Sequence, residues 1–282
     1  MHIRNPVEWG VDTIRVAGST IERIGSRHHD TSAPAVRRIT VADLGEALAR
    51  GIDDFAAFRT DVLFLAIVYP LAGLVLARLV FGYGLLPLLF PLASGFALIG
   101  PVAAVGLYEM SRRREAGSAI GWADALDIVR EPSFSSIVAF ALLLLAIFMV
   151  WLYVAISIYD LTLGPEPPQS AAGFVRDVLT TRAGWAMAAL GIGVGFLFAV
   201  GVLAISAVSV PLMLDRDVGL TEAIGTSLRA VVANPVPMAV WGLIVAGGLV
   251  VGSVPLFLGL IVVMPVLGHA SWHLYRRIVA PN

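Results

Sequence analysis

The chain has 282 residues, 58% hydrophobic and only 14% charged, where an average soluble protein carries about 25% charged residues. A mean hydropathy of +0.87 with a net charge of −1 fits a multi-span membrane protein and gives no footing for nucleic-acid binding. There is no cysteine, which excludes disulfides, iron–sulfur clusters and thiolate metal sites, and all 19 basic residues are arginine.

In chain order, Asn5-Pro6-Val7-Glu8 has the form of a helix start, with Asn as cap and Pro in the first turn. Val7, Val11, Ile14, Gly18 and Ile21 follow at helical spacing beside Trp9 and predict a short amphipathic helix on the inner leaflet. Ser26 to Ala35 is a linker by composition, and His28 and His29 read as solvated linker residues. The first long apolar run begins near Val62, so no secretory signal peptide is expected. The expected division is 1–36 as N-terminal helix and linker, 37–279 as membrane domain, and 280–282 as tail.

A bilayer core about 30 Å thick takes about 20 apolar helical residues. Six runs meet that length: Val62–Phe81, Leu85–Tyr108, Ser136–Tyr159, Ala186–Val210, Met238–Val254 and Leu256–Leu274. The last two meet at Pro255, as a hairpin of two spans. Arginine placement sets the orientation. Eight lie before Val62, four at Arg112, Arg113, Arg114 and Arg130, two at Arg216 and Arg229, and two at Arg276 and Arg277. These sixteen fall on one side; Arg78, Arg176 and Arg182 fall on the other. Both termini are therefore expected in the cytoplasm, with Asp160–Gly184 outside.

Three segments on the arginine-rich side resemble one another: ITVADLGEALARGIDDF, IGWADALDIVR and GLTEAIGTSLRAVV. Each reads as an amphipathic helix. The predicted apolar stripes are Val41, Leu44, Leu48, Ile52, Phe55 and Phe58, with Thr40 and Asp43 as a capping pair; Trp122, Leu126 and Val129; and Leu220, Ile224, Leu228 and Val231. Each precedes a helical hairpin whose returning span carries a proline: Pro101, Pro211 and Pro265. The expected fold is all-α: a polytopic membrane protein with six transmembrane helices and three cytoplasmic amphipathic helices, in three tandem helix-plus-hairpin units. The repeat is parallel, unlike the inverted repeats of alternating-access transporters. Each proline frees the carbonyl four residues earlier (Ala97, Ala207 and Ile261), which then needs a hydroxyl or water as partner. Gly191-x-x-x-Gly195 and Gly248-x-x-x-Gly252 suit close helix contact.

The middles of the spans hold almost no ionisable residue, which argues against proton pumping, ion-coupled transport and intramembrane proteolysis. The remaining candidates cluster at the cytoplasmic helix ends. Asp215 and His269 stand four residues after their repeat prolines, Glu109 and His273 eight. Packed together, these four form a conceivable ligand set for zinc or another divalent metal. Haem is excluded, because two imidazoles four apart on one helix cannot grip it from opposite faces. The preferred account of the same residues is an ordinary helix end. Histidine and arginine favour a helix C-terminus, Trp272 and Tyr275 suit the interfacial aromatic belt, and Arg112, Arg113, Arg114, Arg276 and Arg277 suit anionic headgroups. No phosphate-binding loop or HExxH motif occurs, so neither enzyme activity nor a cofactor is expected.

The segments IGPVAAVGLYEMSRRREAG, VPLMLDRDVGLTEAIGTSLRAVVANPVPM and LGLIVVMPVLGHASWHLYRR resemble a bacterial family of integral membrane proteins, domain of unknown function 2189, from about Arg37 to Val279. The resemblance implies a bacterial inner-membrane protein and no particular activity. The expected role is scaffolding, assembly or membrane organisation, with the bilayer, its anionic headgroups and other envelope proteins as partners. The alternatives are a passive conduit or carrier for a small solute, and divalent-metal handling.

Overall fold

The computed structural model describes residues 34–66, 71, 73–75, 78, 85–118, 132–255 and 257–280. The expected N-terminal helix, His28, His29 and the second amphipathic segment with Trp122, Leu126 and Val129 lie outside them, as does half of the first expected span. Among the described residues the chain is helical, apart from one isolated bridge between Val36 and Val279.

Helix α1, Val41–Ala66, starts at the predicted capping pair. The Thr40 amide and hydroxyl donate to Asp43 Oδ2 at 2.7 and 2.8 Å, and these bonds hold the Asp43 carboxyl below its usual pKa. The helix continues unbroken from the expected interfacial segment into the start of the first span. Its buried face overlaps the predicted stripe only in part: Leu44 is buried and Leu48 and Phe55 pack at its edge. Leu44, Ala47, Gly51 and Asp54 point inward, while Val41 and Ile52 are 48% and 53% exposed. The partner explains the rotation. α1 packs most closely against α10, Leu260–Ile278. A Cβ on Gly51 would lie 2.7 Å from the Ala270 amide nitrogen and 2.8 Å from the Val266 carbonyl oxygen. Only small residues allow that approach, so they take the contact and the larger apolar ones are displaced.

A 3-10 turn, Leu86–Leu88, leads into α2, Leu89–Ala103, which breaks at Ala104 before α3, Val105–Glu115. α4, Phe134–Thr162, is followed by the surface helix α5, Ala171–Thr180. α6, Arg182–Ser206, breaks at Ala207 and Val208 before α7, Ser209–Arg216. α8, Leu220–Ala233, and α9, Pro235–Ser253, precede a tight turn into α10. In that turn Gly252 and Gly259 touch, leaving no room for a Cβ on either, and α9 and α10 form the hairpin expected at Pro255.

Among the described residues three helices are long and apolar enough to cross a membrane: α4, α6 with α7, and α9. They match the third, fourth and fifth expected spans. The second expected span is the broken pair α2–α3. The sixth corresponds to α10, whose inward face carries His269 and Trp272 rather than an unbroken apolar surface.

The three prolines of the expected repeat, Pro101, Pro211 and Pro265, do not act alike. The chain breaks three residues after Pro101 and three to four before Pro211, but α10 runs through Pro265. At the second break a hydroxyl fills the gap. Ser227 of α8 donates to the Ala204 carbonyl at 2.8 Å and accepts from the Val208 amide at 3.4 Å. This seats α8 on Ala223, Thr226, Ser227 and Ala230; Leu220, Ile224 and Val231 flank that face, and Leu228 is exposed. Of the two glycine pairs, Gly248 and Gly252 line the α9–α10 contact. Gly195 abuts Trp151, while Gly191 has open space around it.

Asn234, between α8 and α9, clasps the start of the described chain. Its Oδ1 accepts from the Ile39 amide at 2.7 Å, and its Nδ2 donates to the Arg37 and Ala230 carbonyls at 3.0 Å. The clasped strand pairs in turn with the end of α10, through Arg37 N to Ile278 O and Ala280 N to Ala35 O. The fully buried side chains concentrate here, among α3, α7 and α10 (Met110, Leu212, Met213, Trp272, Leu274 and Ile278).

Candidate functional site

One helical turn beyond Gly51, the same face of α1 carries Asp54 into the junction with α3 and α10, where it is buried. Its Oδ2 accepts from the Ser111 hydroxyl at 2.5 Å and from His273 Nε2 at 2.8 Å; its Oδ1 accepts from Arg114 Nη1 at 2.6 Å. Ser111 Oγ also lies 2.8 Å from His269 Nδ1, which is 4.0 Å from the carboxylate. A serine has one proton to give, so with that proton on Asp54 the Nδ1–H of His269 points at Ser111. Burial pushes the Asp54 carboxyl upward. The hydrogen bonds from His273 and Ser111, and the charges of the two imidazoles, outweigh burial and hold it below the usual carboxylate value.

The two histidines therefore meet as expected, but at a carboxylate the sequence reading did not single out. The signal for Asp54 was present: Ala47-x-x-x-Gly51 marks the close-packing face of the segment, and Asp54 continues it. The other two candidates are engaged elsewhere. Glu109 is buried and accepts from Arg112 Nε at 2.7 Å and Arg113 Nε at 2.6 Å. Asp215 accepts from the Tyr275 hydroxyl at 2.6 Å, with Arg276 Nη1 at 3.4 Å. Among the described residues no group of three or more His, Asp or Glu is placed to hold a metal ion.

The residues assigned to the lipid interface are also drawn inward. Trp272 and Tyr275 are each 1% exposed; Trp272 Nε1 donates to Glu115 at 3.1 Å. Arg276 pairs with Glu115 and Asp215, Arg277 with Asp43 and Glu46, and Arg114 with Asp54. The physical reason is that α10 is covered on more than one side: α1 meets Arg277 through Asp43 and Glu46, while Glu115 of α3 and Asp215 of α7 meet Trp272, Tyr275 and Arg276.

A second feature lies on the membrane side of this junction. A half-open apolar cavity of about 550 Å³ runs between α2 at Pro101, α6 from Phe196 to Ser206, α9 from Pro235 to Leu249, and α10 from Met264 to Ser271, with Phe196 and Leu243 at its exposed rim. Among the described residues its walls carry no charged side chain. The polar lining consists of Tyr108, Ser206 and Ser271, all toward the end where the ion pairs gather.

Residues 89–215 match the family described as Predicted integral membrane protein (DUF2189). The DUF2189 match covers α2 to α7 and the first resembling segment whole. It is shorter than the Arg37–Val279 extent of the resemblance, and Asp54, Ser227, His269 and His273 fall outside it. No curated protein and no solved structure matches the chain.

Proposed function

We propose that this is a non-enzymatic protein of the bacterial inner membrane that accommodates an apolar guest between α2, α6, α9 and α10, as a passive holder or carrier. The cavity carries this reading. Its volume falls within the roughly 300–1,000 Å³ of small-molecule sites. An ion would find no charged partner along its walls, and an intramembrane ion path requires such groups. The polar side chains at the neighbouring helix ends bond one another, which is a structural use of them.

Scaffolding draws on a weaker observation. The most apolar stretch of α6–α7 is only 6% buried, but lipid covers such a face as well as a partner protein does. Metal handling would need the Asp54–His273 contact to open before either group could serve as a ligand.

The test uses the full chain in lipid nanodiscs with a long-chain alkane bearing a photoreactive diazirine. Labelling is expected at Leu203 and Leu267, which line the cavity, and Ala246→Trp is expected to suppress it. Equal labelling of both proteins, or none at these positions in the wild type with any chain-bearing probe, overturns the reading.

A further inference from the structure

We infer that the guest is a single-chain amphiphile with an uncharged oxygen-bearing head, a long-chain alcohol or ester drawn from the bilayer, seated with that head at Ser206. The inference rests on the apolar-guest reading and adds polarity, orientation and a recognising atom to it.

Ser206 is the last residue of α6, lines the cavity and is 5% exposed. A serine in a helix ordinarily donates to the carbonyl four residues earlier. Ser209, Ser253 and Ser271 do so here, to Ile205, Leu249 and Leu267. Ser206 does not, and among the described residues it has no hydrogen-bond partner. An unanswered hydroxyl is costly at membrane depth, and a guest oxygen placed against it removes that cost. Ser271 has committed its proton to Leu267 and can offer the cavity only an acceptor, which suits a hydroxyl head.

The cavity's shape and charge fix the rest. From Pro235 to Leu249 it follows α9 for about 20 Å at 1.5 Å per residue, more than one leaflet's share of a core about 30 Å thick. Its polar atoms sit at one end and its far end is hydrocarbon, so a chain enters lengthwise with its head toward the ion-pair end. No lining residue could neutralise a phosphate or an ionised carboxylate, so phospholipids and fatty-acid anions are disfavoured.

The experiment compares three diazirine probes of equal chain length on the full protein in nanodiscs at pH 8: an alkane, the primary alcohol and the carboxylate. Half-saturation of labelling at Leu203 and Leu267 is read for each. The alcohol is expected to half-saturate at about fivefold lower concentration than the alkane, the worth of one ordinary hydrogen bond, and the carboxylate at higher concentration than either. Ser206→Ala is expected to bring the alcohol to the alkane's value, and Ser206→Thr to preserve the difference. Equal half-saturation for alkane and alcohol, or a difference that survives Ser206→Ala, overturns this inference and leaves the cavity reading standing. Tighter labelling by the carboxylate overturns the uncharged head. Interior labelling by none of the probes overturns both.

Discussion

Asp54 shows how a single carboxylate can hold three helices. Four side chains converge on it, from α3 and α10, and none of them is adjacent to it in sequence. Removing its charge therefore costs more than a surface ion pair would, because Ser111 and His273 lose their acceptor while still buried. Asp54→Leu is expected to destabilise the fold by roughly 2–3 kcal/mol, the cost of stranding buried donors, read as a lower unfolding temperature in detergent. The same site predicts a pH dependence. The folded-state pKa of Asp54 is depressed, so its contribution is present above the ordinary carboxylate value near about 4 and is lost as pH falls through the lower folded value. Unfolding temperature should drop as pH falls below about 4, and the drop should be shallower in Asp54→Asn. An identical profile in the variant would show that other carboxylates govern acid unfolding. His269 and His273 were legible as a pair because spacing alone puts them on one face. Asp54 is legible only through the small-residue face of Ala47 and Gly51, because a carboxylate beside Asp53 in an amphipathic segment otherwise looks like solvent-facing charge.

At the scale of elements, what the sequence conveyed was length and apolarity, and what it hid was which face is turned inward. α4, α6 and α9 lie within a few residues of their expected bounds, because twenty apolar residues in a row leave little choice in a bilayer. The buried faces of α1 and α8 are rotated from their predicted stripes, which they partly overlap, for one reason. Hydrophobic periodicity assumes that the largest apolar residues seek burial, whereas helices packed closely together bury their small ones. On α8 this puts Ser227 at the centre of the buried face, opposite the break before α7. A hydroxyl does fill this break, but it meets the Ala204 carbonyl and the Val208 amide rather than the Ala207 carbonyl that Pro211 was expected to free, and the sequence does not say which serine supplies it. Ser227→Val and Ser227→Thr share one shape and differ only in the hydroxyl, so Val leaves the Ala204 carbonyl and the Val208 amide without their bonds. A loss of about 1–3 kcal/mol is expected, with Ser227→Thr close to the wild type. The readout is thermal unfolding of purified protein. Equal unfolding temperatures for Val and Thr would mean that the helix break is held by packing alone.

Over the whole molecule, packing and charge are distributed unevenly, and the unevenness has a direction. The well-packed interior lies where α3, α7 and α10 meet, together with the clasp of Asn234 on residues 37–39. α4 leaves this region at Phe134 and carries the chain about 43 Å away, at 1.5 Å per residue over its 29 residues, to the segment around Gly164 and α5. Arg112, Arg113, Arg114, Arg216, Arg276 and Arg277 belong to the packed end, and Arg176 and Arg182 to the far one. Arginine is retained on the cytoplasmic side because moving it across the bilayer during insertion is costly, whether or not it later finds an internal partner. An arginine kept on that side is still free to take an internal partner, so the ion pairs here are compatible with a cytoplasmic placement. The packed end, with both ends of the described chain, should face the cytoplasm. The absence of cysteine makes this directly measurable. Gln169→Cys, near α5, and Ser118→Cys, just beyond α3, each introduce a single thiol at an exposed position. In spheroplasts a membrane-impermeant maleimide is expected to label Gln169→Cys at once and Ser118→Cys only after permeabilisation. The reverse pattern would put the ion-pair cluster outside, and labelling of both in sealed spheroplasts would mean that the stretch between them does not cross the membrane an odd number of times.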